Sequence, residues 1–430
     1  MAAGYHMHGM ADQRVTFELW IRKLPACRNY LVAAGLEQAV HYLRCLSFAP
    51  EQIAYLREHP AFRHVPNDWF ERLASLCFEG DVWAIPEGTV VFQGEPLLRI
   101  SGPFMQAQIV ETYLITILTM QTLIASKAAR VATAAQGRPV FDFGSRRAHG
   151  PQAGLLAARA AFIGGCVGTS NTEAGRLLGI PALGTQAHSW IMAFCDEQEA
   201  FRRFGQVFPD SSTLLIDTYD TVQGARNAVA SGAAMQAVRL DSGDLGQLSK
   251  EVRAILEDAG RQDVKIVASG DLNEYKIRAL LAGGAPIDVF GVGTELVTSR
   301  DDPSLNAVYK LVEQQTPAGS LGRFKLSPEK KTCPYPKQVY RGCDARGTFR
   351  GDRIVKAMSR EDGEPLLVPV LRQGELTEPL PPLEECRRHC AEQLGQLPEE
   401  LLALEPCQTY PVQVSEELET ELSRLAGLLR

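Results

Sequence analysis

No apolar stretch in this 430-residue chain reaches the ~18 residues that a membrane-spanning helix needs. Nor does a cationic segment followed by an apolar one open it, so neither a bilayer span nor a secretory leader is expected. Excess basic charge is missing too. The 44 Lys and Arg stand against 51 Asp and Glu, for a net charge of −7, which excludes the positive footprint of a nucleic-acid surface. Anionic phosphates, if bound, must be held by local groups. The 10 cysteines fall at irregular intervals, which suits buried or free thiols in a reducing cytoplasm better than a disulfide framework. The cluster Cys386-Arg-Arg-His-Cys390 has no second ligand pair nearby, whereas a closed zinc site needs four ligands. Low-complexity segments and short repeats are also absent.

What remains is a chain too long for one ordinary domain, and it divides into three. Residues 1–105 hold an alternating strand at Val15–Ile21, helical patterns and a strand-rich stretch at 82–100. Residues 324–430 hold strand-like pieces around Gln338–Arg341 and Glu364–Val370, then a helical tail. Between them, residues 106–323 begin with one long apolar helix over Gln106–Val131. Six short apolar runs follow, each ending in polar residues or glycine: 139–144, 182–185, 213–217, 237–241, 264–269 and 287–293. Helical stretches at 248–259 and 274–282 fill two of the gaps. Buried runs alternating with helices predict parallel βα units, hence a barrel or a doubly wound sheet.

In such a sheet the strand ends form the catalytic face, and here they carry Asp142, His188, Asp217, Arg239, Asp241, Ser269, Gly291 and Gly293. An Asp after a strand also serves simply to cap the next helix, but caps do not explain His188 or Arg239. In Val238-Arg-Leu-Asp-Ser-Gly-Asp244, Arg239 and Asp241 alternate and so project to one side. An inward Arg faces a carboxylate or a phosphate with its planar fork, or forms an internal ion pair with Asp241. Asp241 and Asp244 are candidates for Mg²⁺ or ribose hydroxyls. Gly291-Val-Gly293-Thr294 and Ser269-Gly270 on successive units suit a barrel phosphate site. Phe143, in Phe141-Asp-Phe-Gly-Ser-Arg-Arg147, offers a ring for stacking or for core packing. His188 is a candidate base or phosphoryl acceptor.

Taken together, Phe17-Glu-Leu-Trp-Ile-Arg22, Asp142-Phe-Gly-Ser-Arg-Arg147, Gly168-Thr-Ser-Asn171, Ala187-His-Ser189, Leu215-Ile-Asp-Thr-Tyr-Asp220, Arg239-Leu-Asp-Ser-Gly-Asp244, Gly291-Val-Gly-Thr294 and Tyr309-Lys-Leu311 resemble the nicotinate and nicotinamide phosphoribosyltransferases. The resemblance spans Phe17 to about Arg341. It implies an α/β fold: an open α/β barrel of the type II phosphoribosyltransferase kind, related to the TIM barrel, plus an α+β domain built from both chain ends. It also implies a cytoplasmic homodimer, arranged head to tail with the site at the interface. Carried over by motif, Phe143 stacks on the pyridine ring and Arg239 faces the carboxylate or its vicinity. His188 is transiently phosphorylated by ATP and oriented by Asp217. Asp241 and Asp244 serve ribose or Mg²⁺. Arg146, Gly293 and Thr294 serve phosphates, with Ser269 and Gly270 in the paired loop. The implied reaction converts nicotinate, phosphoribosyl pyrophosphate and ATP to nicotinate mononucleotide, pyrophosphate, ADP and phosphate.

Ser170 stands where members specific for the amide carry an Asp. A carboxylate ligand would be repelled by that Asp, whereas a Ser hydroxyl donates to it, so nicotinate is the expected substrate. The same chemistry on nicotinamide, a quinolinate-specific relative and a non-catalytic nucleotide-binding paralogue are the alternatives. Two departures from the family pattern stand out. A Thr-Asp-x-Tyr-Gln-like string, whose Tyr closes the pyridine sandwich from the partner subunit, is expected upstream of the position that Met1 matches. In Thr332-Cys-Pro-Tyr-Pro-Lys337, Tyr335 replaces a Gly, so a changed turn is expected there.

Overall fold

The computed structural model describes residues 1–327, 330–407 and 409–428. The chain forms two compact units, one from residues 1–122 and 304–430 and one from residues 123–303. Both chain ends therefore build one unit, as expected, but the divisions fall inside the predicted boundaries at 106 and 323. The reason at the C-terminal side is strand pairing. Asn306–Thr316 lies antiparallel beside Arg14–Lys23, with Phe17 opposite Leu311 and Leu19 opposite Tyr309, which ties this segment to the N-terminal strand.

The end-built unit is mostly antiparallel. Its seven-stranded sheet runs in the order Gly319–Gly322, Asn306–Thr316, Arg14–Lys23, Pro96–Pro103, Asp81–Ala84, Val368–Arg372, Glu375–Leu376. Val15, Phe17, Leu19 and Ile21 are all buried, one side of the period-2 alternation. A second sheet pairs Lys337–Cys343 with Phe349–Lys356. There Arg341 is fully buried and donates to Asp352 at 2.6 Å. The Thr332–Lys337 turn keeps a left-handed residue although it lacks glycine, because Tyr335 itself takes φ +66°.

The second unit contains a six-stranded, all-parallel sheet in the order Gly168–Thr169, Val140–Asp142, Val289–Val292, Lys265–Ala268, Ala237–Leu240, Thr213–Leu215. Strands covered on both faces read as near-continuous apolar runs, which is why five of the six expected runs are strands. The exception is 182–185. Ala182 makes only an isolated bridge to Thr169, and the edge strand is Gly168–Thr169 instead. Interstrand helices start at side-chain caps: Asn171, Asp220, Asp244 and Asn273 each accept a backbone N–H of the first turn. The helix expected over 106–131 is two, Phe104–Ile109 and Glu111–Ala134. The second is long and apolar enough to cross a membrane by length and composition, but 78% of its apolar window is buried within the protein.

That helix brings two cations into the second unit. Lys127 and Arg130 are almost wholly buried. The Lys127 ammonium lies 2.8 Å from Glu274 and 3.0 Å from Asp301, and Arg130 Nε donates to Glu274 at 3.1 Å. Glu274 opens the helix after Ser269-Gly270-Asp271, and Asp301 follows the Gly293-Thr294 segment. One ion cluster therefore fixes the elements behind both glycine-bearing strand ends. Removing one partner of such a cluster leaves uncompensated buried charge, at a cost of about 3–5 kcal/mol. Lys127→Met should lower the denaturant midpoint of unfolding accordingly, and an unchanged midpoint would show that the cluster contributes no stability.

Candidate active site

The strand ends of the parallel sheet enclose two cavities, of about 230 Å³ and about 580 Å³, that share Phe143, Arg146, Arg239 and Asp241. They are two halves of one cleft. Arg239 is its centre. Its Nε donates to Ser269 Oγ, one terminal nitrogen to Thr185 Oγ1 and the other to Asp241 Oδ1, each at 2.7 Å. Partners from its own strand end, the neighbouring strand end and the loop at Thr185 hold the guanidinium carbon 5.6 Å from the centre of the Phe143 ring. Ser269 also donates to Asp241 Oδ1 at 2.6 Å. Burial opposes ionisation of Asp241, but the Arg239 charge and the hydrogen bonds from Ser269 and Arg239 outweigh it and hold the carboxyl below the usual carboxylate range.

The smaller half is lined by Arg146, Arg147, Ser269, Gly270, Gly293 and Thr294, a set rich in guanidinium and backbone N–H groups and suited to phosphate oxygens. Glycine is required in two places. Gly270 takes φ +97°, and a Cβ there would lie 2.1 Å from the Asp241 carbonyl oxygen. A Cβ on Gly291 would lie 2.3 Å from the Phe143 ring, so the bare backbone of one strand makes room for the ring carried by its neighbour.

The larger half contains Ser170, Thr185 and His188. His188 opens the short helix His188–Met192. No hydrogen bond joins His188 to Asp217, the residue expected to orient it. His188 Nδ1 pairs with Thr218 Oγ1 at 3.2 Å, while Asp217 Oδ2 accepts the Asp241 N–H at 2.9 Å and the Ser242 hydroxyl at 2.6 Å. Asp217 thus clamps the loop after the Arg239 strand. Asp142 is a second clamp. Fully buried, it accepts Gly144 N–H and Thr169 Oγ1, both at 2.8 Å, and burial pushes its carboxyl up in spite of those two donors.

Asp244 caps its helix through Oδ1 and does not line either half of the cleft. The plain capping role therefore accounts for it. Asp241 and Asp244 each keep an Oδ2 with no hydrogen bond among the described residues, where no group of three or more His, Cys, Asp or Glu side chains converges on a metal position. That donor set fits Mg²⁺ arriving with phosphate oxygens and water, its usual mode of binding, rather than a protein cage. Motif reading did not single out Thr185 and Thr218. Each stands beside a residue that it did name, and only the fold shows which neighbour its hydroxyl meets.

The chain matches the sequence profile described as "Nicotinate phosphoribosyltransferase (NAPRTase) family" over residues 139–317, with the corresponding N-terminal domain over residues 1–119 and C-terminal domain over residues 356–422. It is 43% identical over 433 residues to a nicotinate phosphoribosyltransferase of Mycobacterium tuberculosis, covering 99% of this chain and 91% of that one. To the nicotinate phosphoribosyltransferase of Homo sapiens it is 31% identical over 521 residues, covering 99% and 95%. The crystal structure of human nicotinic acid phosphoribosyltransferase superposes with a TM-score of 0.87 at 29% identity, over 99% of this chain and 98% of that one. With its curled parallel sheet, strand-end cleft and full-length similarity, the chain belongs to the nicotinate phosphoribosyltransferase family.

Proposed function

We propose that the Arg239 cleft carries out phosphoribosyl transfer to nicotinate. The enzyme is a nicotinate phosphoribosyltransferase. The observation that supports the assignment of this cleft most directly is a guanidinium held by one hydrogen bond at each nitrogen beside a half-buried aromatic ring, next to a cavity of arginines and glycines. In this reading the pyridine ring stacks on Phe143, an arrangement worth about 0.5–1.5 kcal/mol beyond area burial. Its carboxylate is read by Arg239 and the Ser170 hydroxyl. The phosphates of phosphoribosyl pyrophosphate occupy the half lined by Arg146, Arg147, Gly270, Gly293 and Thr294. The pyridine nitrogen then forms the bond to ribose C1 as the C1–O bond to pyrophosphate breaks. Mg²⁺ bound with the substrate would supply counter-charge to the leaving pyrophosphate, and Asp241 would hold either that ion or the ribose hydroxyls.

His188 accepts the γ-phosphoryl of ATP in the same reading. Thr218 occupies Nδ1, which leaves Nε2 as the acceptor; ADP departs, and water later releases phosphate. The family resemblance further supports a homodimer in which the partner closes the cleft. Sedimentation of the wild-type protein tests the dimer directly.

The primary test is nicotinate-dependent release of pyrophosphate, with and without ATP. His188→Ala should abolish the stimulation by ATP and leave basal transfer; persistent stimulation would remove the phosphohistidine role. Ser170→Asp places a carboxylate beside the substrate's own and should lower kcat/KM for nicotinate at least tenfold, and unchanged turnover would free Ser170 from the acid-reading role. Gly291→Ala displaces the Phe143 ring and should raise the KM for nicotinate by about two- to tenfold, the equivalent of one lost stacking face. An unaltered KM would mean that the ring does not touch the pyridine.

A further inference from the structure

The end-built unit has a cavity of its own, of about 410 Å³, within the ~300–1,000 Å³ typical of small-molecule sites. Its floor is the polar side of the seven-stranded sheet. Registers place Glu18 opposite Arg99 and Arg99 opposite Trp83 in one row, with Thr16 opposite Ser101 in the next. Tyr335-Pro336 and Lys356-Ala357-Met358 form the walls. Every residue that lines it belongs to the end-built unit, whereas every residue of the Arg239 cleft belongs to the other.

Arg99 is the unusual group. It is only 5% exposed, yet among the described residues its hydrogen bonding is confined to one contact, from a terminal nitrogen to the Lys337 carbonyl at 2.8 Å. The other cations of the cavity are neutralised: Arg14 pairs with Asp81, and Lys356 with Glu417 at 2.8 Å. The acids near Arg99 are engaged elsewhere. Glu18 binds Lys337 at 2.8 Å, and Glu313 accepts from Thr16 and Ser320. Among the described residues no carboxylate comes within ion-pair distance of Arg99. A buried guanidinium without a direct ion pair is costly. Besides the Lys337 carbonyl and the longer-range charges of Glu18 and Glu313, this one has the Trp83 ring, 4.2 Å away, with Arg372 also 4.2 Å from that ring. The opposite wall is strained. Tyr335 holds φ +66°, a left-handed conformation unfavourable for a bulky residue. Its hydroxyl is pinned to Glu421 at 3.1 Å. The strain keeps an aromatic ring on the cavity wall.

We propose that this cavity is a second ligand site, for a small aromatic carboxylate whose anionic group pairs with Arg99 and whose ring lies against Tyr335. The anion supplies the direct ion pair that Arg99 lacks, and the ring uses the aromatic wall that no guanidinium of the sheet covers. This inference stands apart from the reading of the Arg239 cleft, because that cleft's variants leave the cavity intact.

The probe is 4-bromobenzoate. Bromine anomalous scattering from soaked crystals should place it in this cavity, and titration calorimetry should detect the same site in solution. Arg99→Gln and Tyr335→Gly should each weaken that binding at least tenfold, while Arg239→Gln should leave it unchanged. Tyr335→Gly removes the ring and suits the backbone φ, so it remains a folded test if Arg99→Gln does not fold. The proposal is overturned by absence of bromine from the cavity, by density at soaking concentration without affinity in solution, or by affinity that survives Tyr335→Gly.

Discussion

The cleft is organised by the anchoring of one guanidinium. Arg239 is largely withdrawn from water, and a charge in that position is stable only when it is hydrogen-bonded and paired. Ser269, Thr185 and Asp241 each take one of its three nitrogens, from the neighbouring strand end, a loop and its own strand end. The requirement propagates outward. Asp241 must stay ionised, and the Arg239 and Ser269 contacts keep it so. The loop after it must hold its course, and Asp217 pins that loop through the Asp241 N–H and the Ser242 hydroxyl. Shifting the Ser269 strand or the Thr185 segment relative to Arg239 would leave a guanidinium nitrogen without its partner.

Space is set as tightly as charge. Phe143 sits above the guanidinium because Gly291, on the adjacent strand, has no side chain to displace it. Gly270 can follow Ser269 closely past the Asp241 carbonyl for the same reason. Behind these loops, Lys127 and Arg130 gather Glu274 and Asp301 into a dry ion cluster, so the glycines that give the cleft its freedom of approach are backed by elements that are not free to move. Flexibility of residue type in front and fixed charge behind together produce a preformed anion site.

Much of this was legible in the chain. Runs such as Ala237-Val-Arg-Leu and Val289-Phe-Gly-Val could be read as buried parallel strands because both faces of such a sheet are covered, and their polar ends marked the cleft. Phe143, Arg146, Ser170, His188, Arg239, Asp241, Ser269, Gly270, Gly293 and Thr294 do line it. Position alone does not tell the strand-end carboxylates apart. Asp142, Asp217 and Asp244 have the same residue type and strand-end position as Asp241, yet their hydrogen bonds clamp backbone or cap a helix. Whether a carboxylate faces a cavity or a neighbouring N–H depends on the rotation of its strand end, which local sequence does not encode. Gly168–Thr169, the edge strand, is not legible as a strand because two residues are too few to show periodicity, and the apolar run at 182–185 contributes only one bridge to it.

By itself, then, the sequence determined the family, the parallel architecture of the second unit and the set of side chains available at its strand ends, since these follow from apolar periodicity and from motifs that are local. Tertiary structure alone decided their partners. Thr218 rather than Asp217 meets His188, and Thr185 completes the shell of Arg239. Arg99 is left without a direct ion pair among the described residues. Each of these outcomes depends on the distance between atoms carried by segments far apart in the chain. Hydrogen bonds and ion pairs are fixed by such distances and by the exclusion of water around them, neither of which exists until the strands are laid side by side.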